Sequence, residues 1–330
     1  MSAMGEFELL ARVRERLPAV GPRVQLGSGD DAAVTVPGGA TATSVDALVE
    51  GVHFRRDLAG LAQVGHKALA TALSDLAAMG AEPGEAYVVL GIPGDLNEDG
   101  CLELLDGMAA LASATGTGLL GGDVTRAAEL FLTLTVVGHA PEPEQLIGRG
   151  GAQPGDALVL TGELGGAAAG LLLLEQPELE RNLSSSVTER LRARQLEPQP
   201  RLGAGRALAA TGATAMIDLS DGLGGDAGHL AGSSGVGARI EAAAFPLAEG
   251  VEEVVTAAGQ DPLTLASSGG EDYELLASIP AEGLEEAQAA VHRAEGIGLT
   301  RVGEIVADKG VEIRLPDGRL LKPEGFDQLG

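Results

Sequence analysis

Apolar side chains recur at two different periods along this chain. Residues 66–79 and 99–115 space them three and four positions apart, the period of a helix that buries one face. Residues 87–92 and 131–139 are short apolar runs of strand length. The pattern therefore predicts alternating helices and strands, the arrangement of a layered α+β or α/β domain.

The first 50 residues predict a helix followed by a hairpin. Residues 6–16 have helical spacing. Residues 32–36 and 40–45 are short strand-like runs on either side of Pro37-Gly38-Gly39, a turn sequence. We expect the two runs to pair with each other, with acidic residues at the entry and exit of the hairpin.

A loop-rich segment divides the chain near its middle. Residues 148–155 include Pro154 and precede a new strand predicted over residues 157–161. A chain of 330 residues is too long for one modest core, so we expect two domains, residues 1–147 and residues 148–330. In the second domain the pattern predicts strands at 214–217, 237–241, 275–279, 300–305 and 311–315, and helices near 165–174, 187–195, 223–231, 251–258 and 284–294.

Composition narrows the classes of partner. The formal net charge is -26, from 48 acidic and 22 basic residues. Such a surface repels nucleic acids and anionic membranes, because nucleic-acid binding rests on basic side chains that displace counterions. No apolar run approaches the roughly 20 residues of a membrane helix, and the first ten residues lack the basic-then-apolar order of a signal peptide. We expect a cytoplasmic protein.

Two familiar nucleotide motifs are excluded by their context. Gly60 and Gly65 have the spacing of a P-loop, but His66-Lys67-Ala68 follows where Lys-Ser or Lys-Thr is required. Residues 116–121 match the glycine pattern of a dinucleotide site, yet they follow a predicted helix and lead into a strand, the reverse of the required order. The sequence therefore predicts neither a P-loop nor a Rossmann site.

Six acidic clusters recur in small-residue settings, and none contains a lysine or arginine. Carboxylates gathered in this way repel one another unless a cation joins them, and hard divalent ions such as Mg²⁺ prefer oxygen ligands. The sequence therefore predicts a protein that handles phosphates through metal ions. The clusters are Gly29-Asp30-Asp31, Ser44-Val45-Asp46, Ser74-Asp75, Gly121-Gly122-Asp123, Asp218-Leu219-Ser220-Asp221-Gly222 and Gly269-Gly270-Glu271-Asp272.

In their order and with their flanking residues, these clusters resemble those of the thiamine-monophosphate kinase family, within the aminoimidazole ribonucleotide synthetase superfamily. The resemblance extends from Gly5-Glu6-Phe7 to Gly325-Phe326-Asp327, nearly the whole chain. It implies a two-domain fold whose N-terminal domain pairs in a homodimer. It also implies that residues 1–147 carry metal- and ATP-binding clusters and that residues 148–330 complete the active site.

The resemblance implies a reaction as well. ATP would donate its γ-phosphoryl group to thiamine monophosphate, giving thiamine diphosphate and ADP, with several Mg²⁺ ions neutralising the repulsion between the two anions. The acceptor phosphate has a second pKa near 6 and is largely deprotonated at neutral pH, so no general base is needed. We expect direct in-line transfer without a phosphoenzyme.

Carried over residue by residue, the family pattern assigns three roles. Val45 stands where the family usually has threonine, so it can offer only its backbone. Asp75 is expected to be the central carboxylate that bridges several ions. The metal candidates are Asp30, Asp31, Ser44, Val45, Asp46, Asp75, Asp123, Asp218 and Asp221; the nucleotide candidates are Gly122, Asp123, Arg149 and Ser220; the candidates for the thiamine phosphate pocket are His53, Glu271 and Phe326.

Structural roles remain as alternatives for single residues. Asp218 and Asp221 could cap the helix that begins near Leu223, and Asp75 could merely face solvent. Two other functions also stay open. One is an ATP-dependent enzyme of the aminoimidazole ribonucleotide synthetase type, and the other is a non-catalytic acidic protein that binds Mg²⁺ or Ca²⁺ without ATP turnover.

Overall fold

The computed structural model describes residues 6–17, 21–28 and 32–326. They form two compact units. The first contains the chain up to residue 143 except residues 77–80, and the second contains residues 77–80 and the chain from residue 144 onward. In the described chain, no helix is both long enough and apolar enough to cross a membrane.

The first unit is built on a four-stranded sheet in the order β3-β6-β4-β5. The pair β4–β5 is parallel and the other two pairs are antiparallel. A separate antiparallel pair joins β1 to β2. The elements are α1 (Glu6–Arg14), β1 (Val24–Leu26), β2 (Val34–Thr35), β3 (Ala40–Val49), α2 (Leu61–Ala78), β4 (Glu82–Ile92), α3 (Glu98–Thr115), β5 (Gly118–Arg126) and β6 (Phe131–Ala140).

One face of this sheet forms the core of the first unit. Alternate residues of β6, such as Leu132 and Leu134, are fully buried together with leucines of α2 and α3. The intervening residues Thr133 and Thr135 are only half-buried. The sheet therefore has a covered face that meets α2 and a second, more open face.

The predicted hairpin over residues 32–45 is wrong. Residues 34–35 pair with β1, whereas β3 pairs along its whole length with β6, from Ala40 opposite Ala140 to Val49 opposite Phe131. The two runs were adjacent in sequence and joined by good turn residues, but strand partners are decided by long-range packing. The consequence is that β3 lies beside β6 in the sheet, where it can reach α2.

Two element boundaries in the first unit also differ from prediction. The chain pattern predicts a short strand over residues 118–121, whereas β5 continues to Arg126, so Gly122 and Asp123 also lie within the strand. Helix α2 begins at Leu61, five residues before the first residue of the predicted helix. In both cases small residues such as glycine obscured the periodic pattern.

The second unit holds a seven-stranded sheet in the order β13-β12-β9-β11-β7-β10-β8. Its pairs are antiparallel except β12–β9. The elements are β7 (Ala157–Thr161), α4 (Gly166–Glu175), α5 (Ser185–Leu196), α6 (Leu202–Ala210), β8 (Ala215–Asp218), α7 (Leu223–Ser234), β9 (Gly237–Glu241), α8 (Val251–Ala257), α9 (Pro262–Ser268), β10 (Leu275–Ile279), α10 (Leu284–Glu295), β11 (Leu299–Val306), β12 (Gly310–Arg314) and β13 (Leu320–Leu321).

Two apolar clusters stabilise this unit. The larger one joins the sheet to α7 through residues such as Ile217, Leu230 and Ile240. The smaller one packs α4, α5 and α8 together around Leu173 and Val254. Together they fix β8, α7 and the turn between them, which carries the longest acidic cluster of the sequence.

Candidate functional site

In the first unit, the structure brings Ser44, Asp46 and Asp75 together; we call these residues the first acidic group. Ser44 and Asp46 alternate with Val45 along β3 and therefore lie on the face that meets α2. Asp75 lies near the end of α2, and its carboxylate Oδ2 accepts a hydrogen bond from the Ser44 hydroxyl. Asp75 is thus hydrogen-bonded to another predicted metal ligand that lies 31 residues away in the sequence.

Asp46 occupies an environment that disfavours its charge. Burial raises the pKa of Asp46 above its ordinary value, and the negative charge of Asp75 raises it further. Hydrogen bonds from the Ala47 N–H, at 3.0 Å, and from Thr71 act in the opposite direction. Two carboxylates that repel each other in a half-buried position are suited to share a cation.

His53 lies in the turn that follows β3. Its Nδ1 accepts a hydrogen bond from the Val49 N–H at 3.1 Å. An accepting Nδ1 places the proton of a neutral imidazole on Nε2. His53 is also close enough to favour the ionised form of Asp46, so the structure places this pocket candidate beside the first acidic group.

Other candidates of the first unit are not gathered into this group. The Val45 side chain is 64% exposed on the open face of the sheet. Asp123 lies opposite Val89, whose other partner is Thr133, in the row next to the one that carries Asp46. Asp30 and Asp31 lie outside the described residues.

Gly122 and Asp123 instead line a cavity of about 550 Å³ whose other walls include Tyr87 of β4 and Leu10 of α1. Gly122 has a φ of 155°, and a Cβ at this position would lie 1.7 Å from the Val88 carbonyl oxygen. Only glycine therefore fits this strand position. The backbone of the two predicted nucleotide contacts is consequently fixed at the cavity wall.

In the second unit, three carboxylates meet at the turn between β8 and α7; we call Asp218, Asp221 and Asp226 the second acidic group. Asp218 ends β8 and is buried, and Asp221 is half-buried within the turn. Asp226, in the first turn of α7, accepts hydrogen bonds at Oδ2 from the N–H groups of Asp221 and Gly222, each at 3.1 Å.

Sequence reasoning missed Asp226. Burial raises the pKa of Asp226 to about 8, and the charges of Asp218 and Asp221 contribute to the rise. A signal was present in the sequence: Gly222, the residue before the helix, has no side chain with which to cap it. An acidic residue in the first helical turn, four positions later, can reach back to the N–H groups that precede the helix, as the Glu or Gln of a capping box does.

A neighbouring segment, residues 269–274, holds this turn in place. The N–H of Glu271 donates to the Ser220 carbonyl and the N–H of Tyr273 donates to the Leu219 carbonyl, both at 2.9 Å. Glu271 and Tyr273 have positive φ values of 69° and 49°. Such conformations cost energy outside glycine and mark segments that the surrounding structure constrains.

Two predicted pocket residues adjoin the second acidic group. The carboxylate of Glu271 accepts a hydrogen bond from Gln195 Nε2 at 2.6 Å. Phe326 is 58% exposed, and its N–H donates to the Asp221 carbonyl at 2.9 Å. The structure thus brings the pocket candidates Glu271 and Phe326 to the same turn.

Arg149 is placed elsewhere in the second unit. Its carbonyl accepts a hydrogen bond from Ser234 Oγ at 3.2 Å, at the C-terminal end of α7. The second acidic group lies at the other end of this helix, which is 12 residues long, or roughly 18 Å at 1.5 Å per residue. The backbone of Arg149 is therefore not beside Ser220, the other nucleotide candidate of this unit.

Two buried acids support the segment that carries Glu271. Asp272 accepts hydrogen bonds from the N–H groups of Gly165 and Ala167, at 2.7 and 3.1 Å, where α4 begins. Glu274 is fully buried and paired with Arg201 at 2.6 and 2.7 Å and with Arg194 at 3.1 Å. These acids are satisfied by fixed donors and have structural roles.

The two acidic groups fit magnesium by their chemistry. The first offers carboxylate and hydroxyl oxygens and the second offers carboxylate oxygens, and Mg²⁺ prefers such oxygen ligands. Burial and mutual repulsion raise the pKa of Asp46 and of Asp226, and a divalent cation would relieve both effects. Within the described part of the chain, no group of three or more His, Cys, Asp or Glu side chains is placed so that it could hold a metal ion.

The chain matches two family models. Residues 29–140 match the N-terminal domain of AIR synthase related protein, and residues 153–316 match its C-terminal domain. Over 308 residues it is 38% identical to the thiamine-monophosphate kinase of Escherichia coli (strain K12), covering 93% of this chain and 92% of the relative. The predicted two-domain mixed α/β fold is confirmed.

Solved structures give the same result. The thiamine-monophosphate kinase of Stenotrophomonas maltophilia K279a superposes with a TM-score of 0.84 at 36% identity, covering 96% of this chain and 98% of that one. A complex of AaThiL with AMPPCP and TMP superposes with a TM-score of 0.75 at 27% identity, covering 98% and 99%. The chain therefore belongs to the thiamine-monophosphate kinase family, within the AIR synthase related proteins.

Proposed function

We propose that this protein transfers the γ-phosphoryl group of ATP to thiamine monophosphate in a Mg²⁺-dependent reaction that yields thiamine diphosphate and ADP. The observation that carries the proposal is the similarity, over 98% of this chain, to a structure that contains AMPPCP and TMP. AMPPCP is an analogue of ATP that cannot release its γ-phosphoryl group. A relative that binds a donor analogue together with the acceptor supports transfer of the γ-phosphoryl group from ATP to the acceptor.

Magnesium is proposed from the ligands of the two acidic groups. Ser44, Asp46 and Asp75 would hold ions in the first group, and Asp218 and Asp221 in the second, with Asp75 as the central bridging carboxylate. Mg²⁺ bound there would neutralise the repulsion between the two phosphate groups. Asp30, Asp31, Asp123 and the backbone of Val45 stay predicted ligands.

The remaining chemistry requires little from the protein besides positioning. The acceptor phosphate is largely ionised at neutral pH and needs no general base. His53 presents an Nε2–H that can donate to an anionic oxygen of this phosphate, because its Nδ1 is occupied by the Val49 N–H. We propose direct transfer between the substrates, so incubation with labelled ATP should leave no label on the protein after denaturation.

The binding residues follow from the same placement. The cavity beside Gly122 and Asp123 has apolar walls that suit a flat nucleobase. Ser220 and Arg149 stay predicted nucleotide contacts. Phe326 is exposed beside Asp221 and could pack on a thiamine ring, while Glu271 would contact the same substrate.

We also propose a homodimer that buries the open face of the four-stranded sheet. Thr135 lies in its centre, in a row with Val45 and Tyr87. A half-exposed sheet face with β-branched and aromatic side chains suits an isologous interface. Light scattering should give twice the chain mass for the wild type, and Thr135→Arg should shift it toward the monomer. A wild-type monomer at 50 μM would refute the dimer.

A cytoplasmic location stays a prediction.

The test of the proposed function is product identification. Purified protein with ATP, Mg²⁺ and thiamine monophosphate should form thiamine diphosphate and ADP in equal amounts, measured by chromatography and phosphorus NMR. ADP formed without thiamine diphosphate would reject the kinase assignment. Turnover of the aminoimidazole ribonucleotide synthetase substrate would favour that alternative, and Mg²⁺ binding without ATP turnover would favour a metal-binding protein.

A further inference from the structure

Helix α7 begins in an unusual way. The first N–H groups of a helix have no partner within it, and a Ser, Thr, Asp or Asn at the N-cap normally satisfies one of them. Here the N-cap is Gly222, with φ 111° and ψ 149°, and it has no side chain to do so. Asp226 turns back from the first helical turn, and its Oδ2 accepts from the N–H groups of Asp221 and Gly222.

This arrangement is costly for a residue that only caps a helix. Asp226 is 2% exposed and lies close to the charges of Asp218 and Asp221. Other helices of this chain are capped by exposed residues at lower cost, such as Asn97 for α3 and Asp261 for α9. A third carboxylate buried among two others therefore calls for a role besides capping.

The hydrogen bonds of the turn indicate that role. The Asp221 N–H donates a hydrogen bond to the Asp226 carboxylate, and the Asp221 carbonyl accepts one from the Phe326 N–H. The N–H of Glu271 holds the preceding carbonyl, that of Ser220. With both its N–H and its carbonyl hydrogen-bonded, the backbone of Asp221 holds the Cα–Cβ bond, from which the carboxylate extends, in one direction.

We infer that Asp226 is a positioning residue that fixes the backbone of Asp221 so that the carboxylates of Asp221 and Asp218 can bind a divalent cation. The inference rests on the metal-binding part of the proposed function. Residues that orient metal ligands typically change metal affinity about 10- to 100-fold when replaced. Asp226 itself contributes hydrogen-bond acceptance, so an amide oxygen in the same place should serve nearly as well.

Three variants test this inference with Mg²⁺ alone as the probe. Asp226→Ala removes the acceptor, Asp226→Asn keeps an oxygen acceptor without charge, and Asn97→Ala removes an unrelated cap from α3. The readout is the Mg²⁺ concentration that gives half of the maximal rise in Tm, measured without nucleotide. If Asp226→Ala does not fold, Asp226→Ser replaces it, because a hydroxyl on this shorter side chain cannot reach both N–H groups.

The inference predicts that Asp226→Ala raises this Mg²⁺ concentration at least 10-fold, while Asp226→Asn and Asn97→Ala stay within threefold of the wild type. Equal values for Asp226→Ala and the wild type would overturn it. So would an Asp226→Asn value as high as that of Asp226→Ala, which would assign the effect to charge. A wild type whose Tm does not respond to Mg²⁺ would overturn it too.

The readout separates this inference from the proposed kinase activity. Loss of Mg²⁺ affinity in Asp226→Ala supports the positioning role even if thiamine monophosphate is not a substrate. Conversely, a wild type that forms thiamine diphosphate, together with an Asp226→Ala variant of unchanged Mg²⁺ affinity, refutes the positioning role and leaves the kinase intact.

Discussion

The buried acidic side chains of the second unit have different hydrogen-bond and charge partners. These partners distinguish the acids that stabilise the fold from the one that we assign to the site. Glu274 is paired with two guanidinium groups, and Asp272 accepts from two backbone N–H groups. Asp226 also accepts two N–H groups but lies against two further carboxylates. The first two stabilise the fold, whereas the third belongs to the acidic group for which we propose a cation.

Replacing Arg201 should therefore destabilise the protein strongly. Arg201→Met removes two hydrogen bonds and a positive charge from Glu274, which is fully buried. Breaking a buried ion pair from one side costs about 3–5 kcal/mol. Urea unfolding should show this loss. The control Arg239→Met breaks a half-exposed pair with Glu304 and should cost about 1 kcal/mol or less. Equal losses would contradict the assigned role of Glu274.

Asp272 should make stability fall as pH rises. Burial raises the pKa of Asp272 to about 6 in the folded protein, from an ordinary value of 3.8. The folded state then binds the proton more tightly, so this contribution is complete below about pH 4 and is lost as pH rises through about 6. It amounts to about 2 kcal/mol between pH 4.5 and pH 7.

The measurement compares slopes of stability against pH. Asp272→Asn does not titrate, and its free energy of unfolding in metal-free buffer should lack this decline of about 2 kcal/mol relative to the wild type. The variant should also be less stable throughout, because its NH₂ group cannot accept the second N–H. Parallel curves for the two proteins would show that Asp272 does not titrate in this range.

At the residue scale, the acidic residues could be predicted from the sequence alone, but the side chains that hydrogen-bond or pair with them could not. Ser44, Asp46 and Asp75 were predicted together, and the structure places them together. Gln195 and Arg201 were not identified, because their partners Glu271 and Glu274 lie more than 70 residues away. The spacing of apolar and polar residues along the chain carries no information about contacts between residues so far apart.

At the scale of elements, strands and helices with a regular spacing of apolar residues were predicted well. The pairing of strands within a sheet was not. The strands over 157–161, 237–241 and 275–279 agree with the structure to the residue. The hairpin over residues 32–45 was wrong, since β2 and β3 take different partners. Helices α6 and α9 were not predicted, because Gly203 and Gly205 weaken the pattern in α6 and α9 spans only seven residues.

Strand β5 offers a test of backbone geometry at the predicted nucleotide contact. Gly122→Ala would place a Cβ against the Val88 carbonyl at a φ of 155°, so β4 and β5 must separate there. We expect a loss of at least about 1–3 kcal/mol from strain, seen as a lower Tm. Gly121→Ala is the matched control, because nothing lies within 4 Å of its Cβ position. Equal effects would contradict the close approach.

At the scale of the whole molecule, the net charge of -26 and the acidic groups have a common consequence. The carboxylates within each acidic group repel one another in the absence of a cation. Bound Mg²⁺ should therefore stabilise the folded state by mass action. At 100 times its Kd, an ion bound only by the folded state contributes about 2.7 kcal/mol. A monovalent salt at equal ionic strength is the control; an equal rise in Tm would indicate screening alone.

The central claim is that Asp75 and its neighbours bind the cations on which phosphoryl transfer depends. The most direct measurement is the rate of thiamine diphosphate formation from ATP, Mg²⁺ and thiamine monophosphate by the wild type, by Asp75→Asn and by the exposed control Asp99→Asn. The account predicts a loss of at least about 100-fold for Asp75→Asn, with an unchanged fold by circular dichroism and no loss for Asp99→Asn. Equal rates in all three proteins would contradict it.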